Sequence, residues 1–228
     1  MREKLFPSQE IVDAKTQEFK AYQLRYYTPF EEILNFISHF AGLVFMFAGL
    51  AFLIEKATSP EKITAVVLFT FGFCMVFGMS SLYHALTNLK WKSIIRKIDH
   101  ASISFIVISC GVAICFTTPT FKFNIIALSL CYAITLVNFI LCVINLEKYK
   151  NYALINTFLV GIILFVVAII NRNYIVEKAI VFYVLGLLVC LLGSILYGIK
   201  KRYMHAVFHV FTLIGPILFY IATLIQLS

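Results

Sequence analysis

Charge is scarce in this sequence. Asp, Glu, Lys and Arg make up 13% of its 228 residues, against 61% hydrophobic, and the mean hydropathy is +0.93. Ordinary soluble domains carry about 25% charged residues, so a water-solvated globule is excluded and most of the surface must face lipid. The six cysteines, Cys74, Cys110, Cys115, Cys131, Cys142 and Cys190, include no CxxC pair and no Cys beside a His. That excludes a disulfide framework or a cysteine-ligated metal knuckle and leaves buried thiols. The chain also lacks a phosphate-binding or dinucleotide glycine motif, a low-complexity tract and a strong repeat. Its first 29 residues are polar and its first apolar run is too long for a signal-peptide core, so insertion is expected to use the spans themselves. The net charge of +8 sits in short segments between apolar runs. There it works as a topology signal and a headgroup contact; neither nucleic acid nor a soluble protein partner is expected, and membrane lipids are.

What the sequence does have is long apolar runs. Seven can be marked off at roughly Phe30–Ile54, Ile63–Leu86, Ile98–Thr117, Phe121–Asn145, Tyr152–Ile170, Ala179–Ile199 and His205–Leu227, each near the ~20 residues a helix needs to cross a bilayer. They do not alternate, and lipid leaves no partner for unpaired backbone, so helices are predicted rather than a barrel. The expectation is an all-α membrane protein, a seven-helix transmembrane bundle over 30–228 behind an amino-terminal arm over 1–29. Within the arm, Ser8–Tyr27 reads equally as a surface amphipathic helix or a disordered basic segment. Of the 19 Lys and Arg, 14 fall on the side of the amino terminus and five on the other. By the positive-inside bias the amino terminus is cytoplasmic and the carboxy terminus outside, in a multi-pass protein of the plasma membrane.

This topology brings chemistry-bearing residues to one depth. The second span runs inward and ends with Ser80 and His84. The third begins with Asp99 and His100, the seventh with His205 and His209, and the first carries Glu32, Asn35 and His39 in its opening turns. All five histidines thus lie in the cytoplasmic half. His205 and His209 are four apart and project from one helix face; His84 would complete a three-histidine metal site. Such a site leaves a fourth position open, the catalytic rather than the structural pattern for zinc. Asp99 would serve as general base and Ser80 would orient a ligand or substrate. His100, next to Asp99, points about 100° away from it around the helix. His39 is too deep to be interfacial and reads as a hydrogen-bonding group inside the bundle, with Asn35 and Glu32 on its face. The bland alternatives are histidines facing headgroups, Asp99 as a helix cap, and Ser80 as a packing residue beside Gly72, Gly78 and Ser81. Tyr26, Tyr27 and Trp91 read as interface anchors.

The runs Glu32-Ile-Leu-Asn35-Phe-Ile-Ser38-His39, Ser80-Ser-Leu-Tyr-His84, Asp99-His100 and His205-Ala-Val-Phe-His209, taken in order, resemble the motif set of the haemolysin III family, the bacterial branch of the progestin and adipoQ receptors. The resemblance spans nearly the whole chain. It implies zinc held by His84, His205 and His209, with Asp99 reaching the water at the metal, and kinship with alkaline ceramidases and related membrane hydrolases. The family's last motif often carries Trp before its final His; here that position is Phe208.

Three function classes follow. The leading one is a zinc-dependent hydrolase of lipid amides or esters, or a lipid-homeostasis protein derived from one. The second is a receptor-like regulator with a structural zinc. The third is a lytic membrane protein, as the family's name suggests, disfavoured because no polar stripe is long enough to line a pore. Ion-coupled transport is disfavoured because no carboxylate lies at mid-span.

Overall fold

A computed structural model describes residues 5–199 and 201–228. Arg2, Lys4 and Lys200, which enter the charge count, lie outside the described residues. Those residues form seven α-helices: α1 (Gln9–Lys20), α2 (Pro29–Lys56), α3 (Pro60–Ala85), α4 (Leu89–Thr117), α5 (Phe121–Ile170), α6 (Glu177–Tyr197) and α7 (Met204–Leu227). All but α1 are long and apolar enough to cross a membrane.

The count of spans nevertheless remains seven, because α5 is two crossings. A straight helix of its 50 residues would be about 75 Å long, far more than the ~30 Å hydrocarbon core. It breaks at Asn145, whose φ of −151° and ψ of 92° are not helical, and the Asn145 Oδ1 accepts the Lys148 N–H to start the second arm. The arms fold back on each other. Asn156 donates to Asn138 Oδ1 at 2.9 Å, and at the far end Asn171 donates to Asn124 Oδ1 at 3.0 Å. The expected loop between the fourth and fifth spans is therefore helical almost throughout. The third span likewise begins earlier than its apolar run, at Leu89: Asn88 caps it by accepting the Trp91 N–H, and charge in a first turn does not stop a capped helix. Of the Ser8–Tyr27 segment of the arm, Gln9–Lys20 is helical, as α1, and residues 21–27 are not.

Helices α3, α4 and α7 are the most enclosed, and α5 and α6 the most lipid-exposed. The centre is apolar: Phe69, Phe73 and Phe77 of α3 are fully buried in one cluster with Met46 and Leu53 of α2 and Ile108 and Val112 of α4. Lipid tails are as apolar as these side chains, so shape complementarity carries the association. A Cβ on Gly72 would lie 2.8 Å from the Phe105 carbonyl oxygen of α4 and collide with Ser109 Oγ, so glycine sets that helix separation. All six cysteines are free thiols.

Contacts at the two ends agree with the alternating topology. At one, Arg96 pairs with Glu147 at 2.8 Å, joining the start of α4 to the α5 bend. At the other, Gln226 accepts the Val176 N–H, and Lys62 donates to the Leu227 carbonyl at 3.0 Å. The first of these ends is the one the charge bias makes cytoplasmic.

Candidate metal centre

Three local devices position the histidines. Helix α2 opens with a capping box: the Thr28 N–H and hydroxyl donate to Glu31 Oε2 at 3.0 and 2.8 Å, and Thr28 Oγ1 accepts the Glu31 N–H. The other Glu31 oxygen accepts the Tyr203 N–H at 3.0 Å. Tyr203 is in the left-handed region at φ 62° and is the residue on which α7 starts, so Glu31 ties the first turns of α2 and α7 together and fixes where His205 emerges. At the end of α3, the Lys92 ammonium donates to the carbonyls of Tyr83 and Leu86, closing the helix that carries His84.

The outcome is a convergence of three imidazoles. His205 Nε2 lies 3.0 Å from His209 Nε2 and 3.3 Å from His84 Nε2, and one ligand atom from each of the three residues lies within 4.8 Å of the others. His84 and His209 are buried. Their second ring nitrogens fix the proton positions. His84 Nδ1 is 2.5 Å from Glu32 Oε2, and a carboxylate can only accept, so Nδ1 carries the proton and, in the neutral ring, Nε2 is bare. His209 Nδ1 is 3.3 Å from the Asn35 carbonyl oxygen, again a pure acceptor, so this Nε2 is bare too. Among the described residues, His205 Nδ1 is buried without a partner. A neutral His205 has one N–H and can donate to only one of the two lone pairs that face it. The donor set is thus short of protons and rich in lone pairs, the condition a cation satisfies. The two Nε2 spacings at His205, 3.0 and 3.3 Å, lie near the roughly 3.3–3.4 Å that tetrahedral coordination with nitrogens at ~2.0–2.1 Å requires. The three histidines could hold a metal ion.

The other residues singled out from the sequence fall at different distances. Glu32 and Asn35 touch the ligands, as above, and Asn35 Nδ2 lies 3.5 Å from His84 Nδ1. His39 is buried with its ring 3.8 Å from that of His209 and its Nε2 3.2 Å from Thr212 Oγ1; it is not part of the converging set. Asp99 is outside that set as well; Ser80 is buried on α3, one turn from His84. The His100 ring is not among those that pack on the three imidazoles. Phe208 packs on Tyr197 and next to His205, so the aromatic position beside the last ligand is filled.

Two residues have a larger part here than their sequence positions suggest. Tyr27 is not an exposed anchor: it is buried, stacked on His205 at 4.8 Å, and clusters with Leu24 and Tyr83 beside the histidines. Lys92, counted as a loop charge, is 2% exposed and pairs with Glu32 Oε1 at 2.9 Å. Its signal was available in outline, since Asn88 caps a helix that makes Lys92 a first-turn residue. Two openings flank the cluster on either side of α2. An apolar groove of about 520 Å³ is lined by Phe30, Leu34, Ile37, Tyr203, Val207 and Val210, with Ser38 beside it; Ser38 Oγ is 3.4 Å from His209 Nδ1. A cleft of about 210 Å³ lies at Glu32, Ile33, Phe36, His84 and Ala85.

A family model described as haemolysin-III related matches residues 27–220, which takes in every residue of the site. The chain belongs to the haemolysin-III-related family. One relative is the hemolysin-3 homolog of Bacillus subtilis (strain 168), 36% identical over 80 residues. That alignment covers 34% of this haemolysin-III-related chain and 38% of the relative's own length.

Proposed function

We propose that this multi-pass membrane protein is a zinc-dependent hydrolase of membrane lipids, acting on an amide or ester carbonyl presented from the cytoplasmic leaflet. The observation that carries the reading is the convergence of the His84, His205 and His209 Nε2 atoms at 3.0 and 3.3 Å, two of them bare. Three neutral imidazoles select a borderline-soft ion over the hard cations that take oxygen ligands. Zinc held by them would polarise a carbonyl and activate water near neutral pH, with a fourth position open. Asp99 would take the proton given up by the attacking water and return it to the leaving group, and Ser80, one turn from His84 on α3, would orient the substrate. Tyr27 screens the cluster from bulk water, and the groove between α2 and α7 offers an apolar channel for a lipid chain.

A second reading, a metal that braces a receptor-like regulator, is favoured by one observation. Helix α7 packs along α6, α2 and α4, whereas the histidines come from α3 and α7, so a metal would join two helices that share little other contact. The lytic reading suggested by the relative's name is disfavoured by Phe69, Phe73 and Phe77, which fill the centre of the bundle. The deciding experiment pairs elemental analysis with a lipid-hydrolysis screen on detergent-purified protein, using Asp99→Asn as control. About one zinc per chain with turnover lost in Asp99→Asn supports the hydrolase. Zinc without turnover supports the brace, and protein that binds no metal sinks both.

A further inference from the structure

Lys92 has no part in the chemistry above, yet its surroundings single it out. An ammonium has three protons, and three acceptors surround this one: the Tyr83 carbonyl at 2.9 Å, the Leu86 carbonyl at 3.1 Å and Glu32 Oε1 at 2.9 Å. The Tyr83 ring lies against it, 4.7 Å to the centroid. Two of these contacts close the end of α3, as a cation at a helix carboxy terminus does. The third is different. The same Glu32 carboxylate that receives Lys92 on Oε1 receives His84 Nδ1 on Oε2 at 2.5 Å, so one carboxylate bridges a buried cation and a ring whose far nitrogen points into the cluster.

We propose that Lys92 is a positioning residue for the metal centre: by holding one oxygen of Glu32 it keeps the other as the acceptor for His84 Nδ1–H, and so keeps the bare Nε2 of His84 aimed at the site. This rests on the reading that the three histidines hold a metal. The geometry goes beyond a helix cap because a cap needs only the two carbonyls. Burying a cation is costly unless every proton and its charge are matched, and here the match is completed by the group that orients a ligand. Remove Lys92, and Glu32 loses the contact that fixes its rotation. His84 can then place its proton on Nε2, where it no longer binds. Carboxylates behind metal-bound imidazoles typically change metal affinity about 10–100-fold.

The test is zinc affinity, measured by chelator competition on detergent-purified full-length protein. Lys92→Met, Glu32→Gln and the double variant are compared with wild type, together with the melting temperature of each metal-free protein. Lys92→Gln, which keeps an amide N–H for an α3 carbonyl, stands in if Lys92→Met does not fold. The expected result is a loss of about 10–100-fold in each single variant and no larger loss in the double, because both substitutions break one chain of contacts. Glu32→Gln leaves both carbonyl bonds of Lys92 in place, so its loss cannot come from an unravelled α3. The inference is overturned if wild type binds zinc and the Lys92 variants bind within about threefold of it while only their metal-free melting temperatures fall. Losses that multiply in the double variant overturn it as well. Wild type that binds no zinc overturns the metal reading itself, a distinguishable result.

Discussion

Metal should stabilise this protein, and three side chains should carry the whole effect. The imidazoles come from α3 and from the start of α7, and two of them present bare nitrogens within 3.3 Å of the third. An ion binding there binds the folded bundle alone, because separated helices do not assemble the site. At a free zinc concentration 100 times the dissociation constant, the added stability is about 2.7 kcal/mol. For a chain of this length, each 1 kcal/mol moves the midpoint by about 2–4 °C, so the expected rise is about 5–11 °C. Thermal unfolding in detergent, metal-stripped against zinc-loaded, reads it directly. His205→Ala/His209→Ala should abolish both the rise and the bound zinc, and its midpoint should lie below that of the stripped wild type, since the buried His209 also gives up its contacts with the Asn35 carbonyl and the His39 ring. A rise of equal size in the double variant would refute the reasoning by placing the ion elsewhere, as would a wild type indifferent to zinc at every concentration.

Asp99→Asn should keep about one zinc per chain, because Asp99 is not in the converging set, and should lower lipid turnover by about 10²–10⁴-fold; elemental analysis beside a hydrolysis assay separates the two effects, and loss of zinc would count against the assigned role. Gly72→Val should force α3 away from the Phe105 carbonyl and Ser109, costing about 1–3 kcal/mol, seen as a lower melting temperature with zinc content per folded chain unchanged. Asn171→Ala should remove the bonds that Asn171 makes with Thr120 and with Asn124 Oδ1 at the end remote from the metal, leaving the Thr120–Asn124 and Asn124–Thr118 bonds in place, and cost about 1–3 kcal/mol, again with zinc binding intact; a weakened zinc affinity would argue against separate ends. Tyr27→Ala should unstack His205 and open the cluster to water, read as faster chelator stripping of zinc with the stoichiometry preserved.

How much of this was legible in the sequence varies with the range of the interaction. Crossing a bilayer is a local demand, one apolar run per helix, so composition alone gave the helical class, the seven crossings and, through Lys and Arg bias, the end at which the histidines gather. The His205 and His209 pair is equally local, because four residues make one turn. Boundaries were less legible: hydropathy marks where lipid begins, whereas the helix continues as far as its backbone bonds and caps allow, so α4 starts at the Asn88 cap and α5 runs on through its bend at Asn145. The partners of each ligand were not legible at all. That Glu32 rather than Asp99 touches His84, that Tyr27 lies on His205, and that a lysine of apparent loop character is buried under Glu32 depend on how α2, α3, α4 and α7 are rotated against one another. Helix rotation is set by close packing, in which Gly42 admits Phe77 and Gly72 admits α4, and packing is a property of pairs of surfaces that no single stretch of sequence contains. The sequence by itself determined the membrane bundle and the end of it that bears the histidines; the tertiary structure decided which nitrogens are bare and what holds them so.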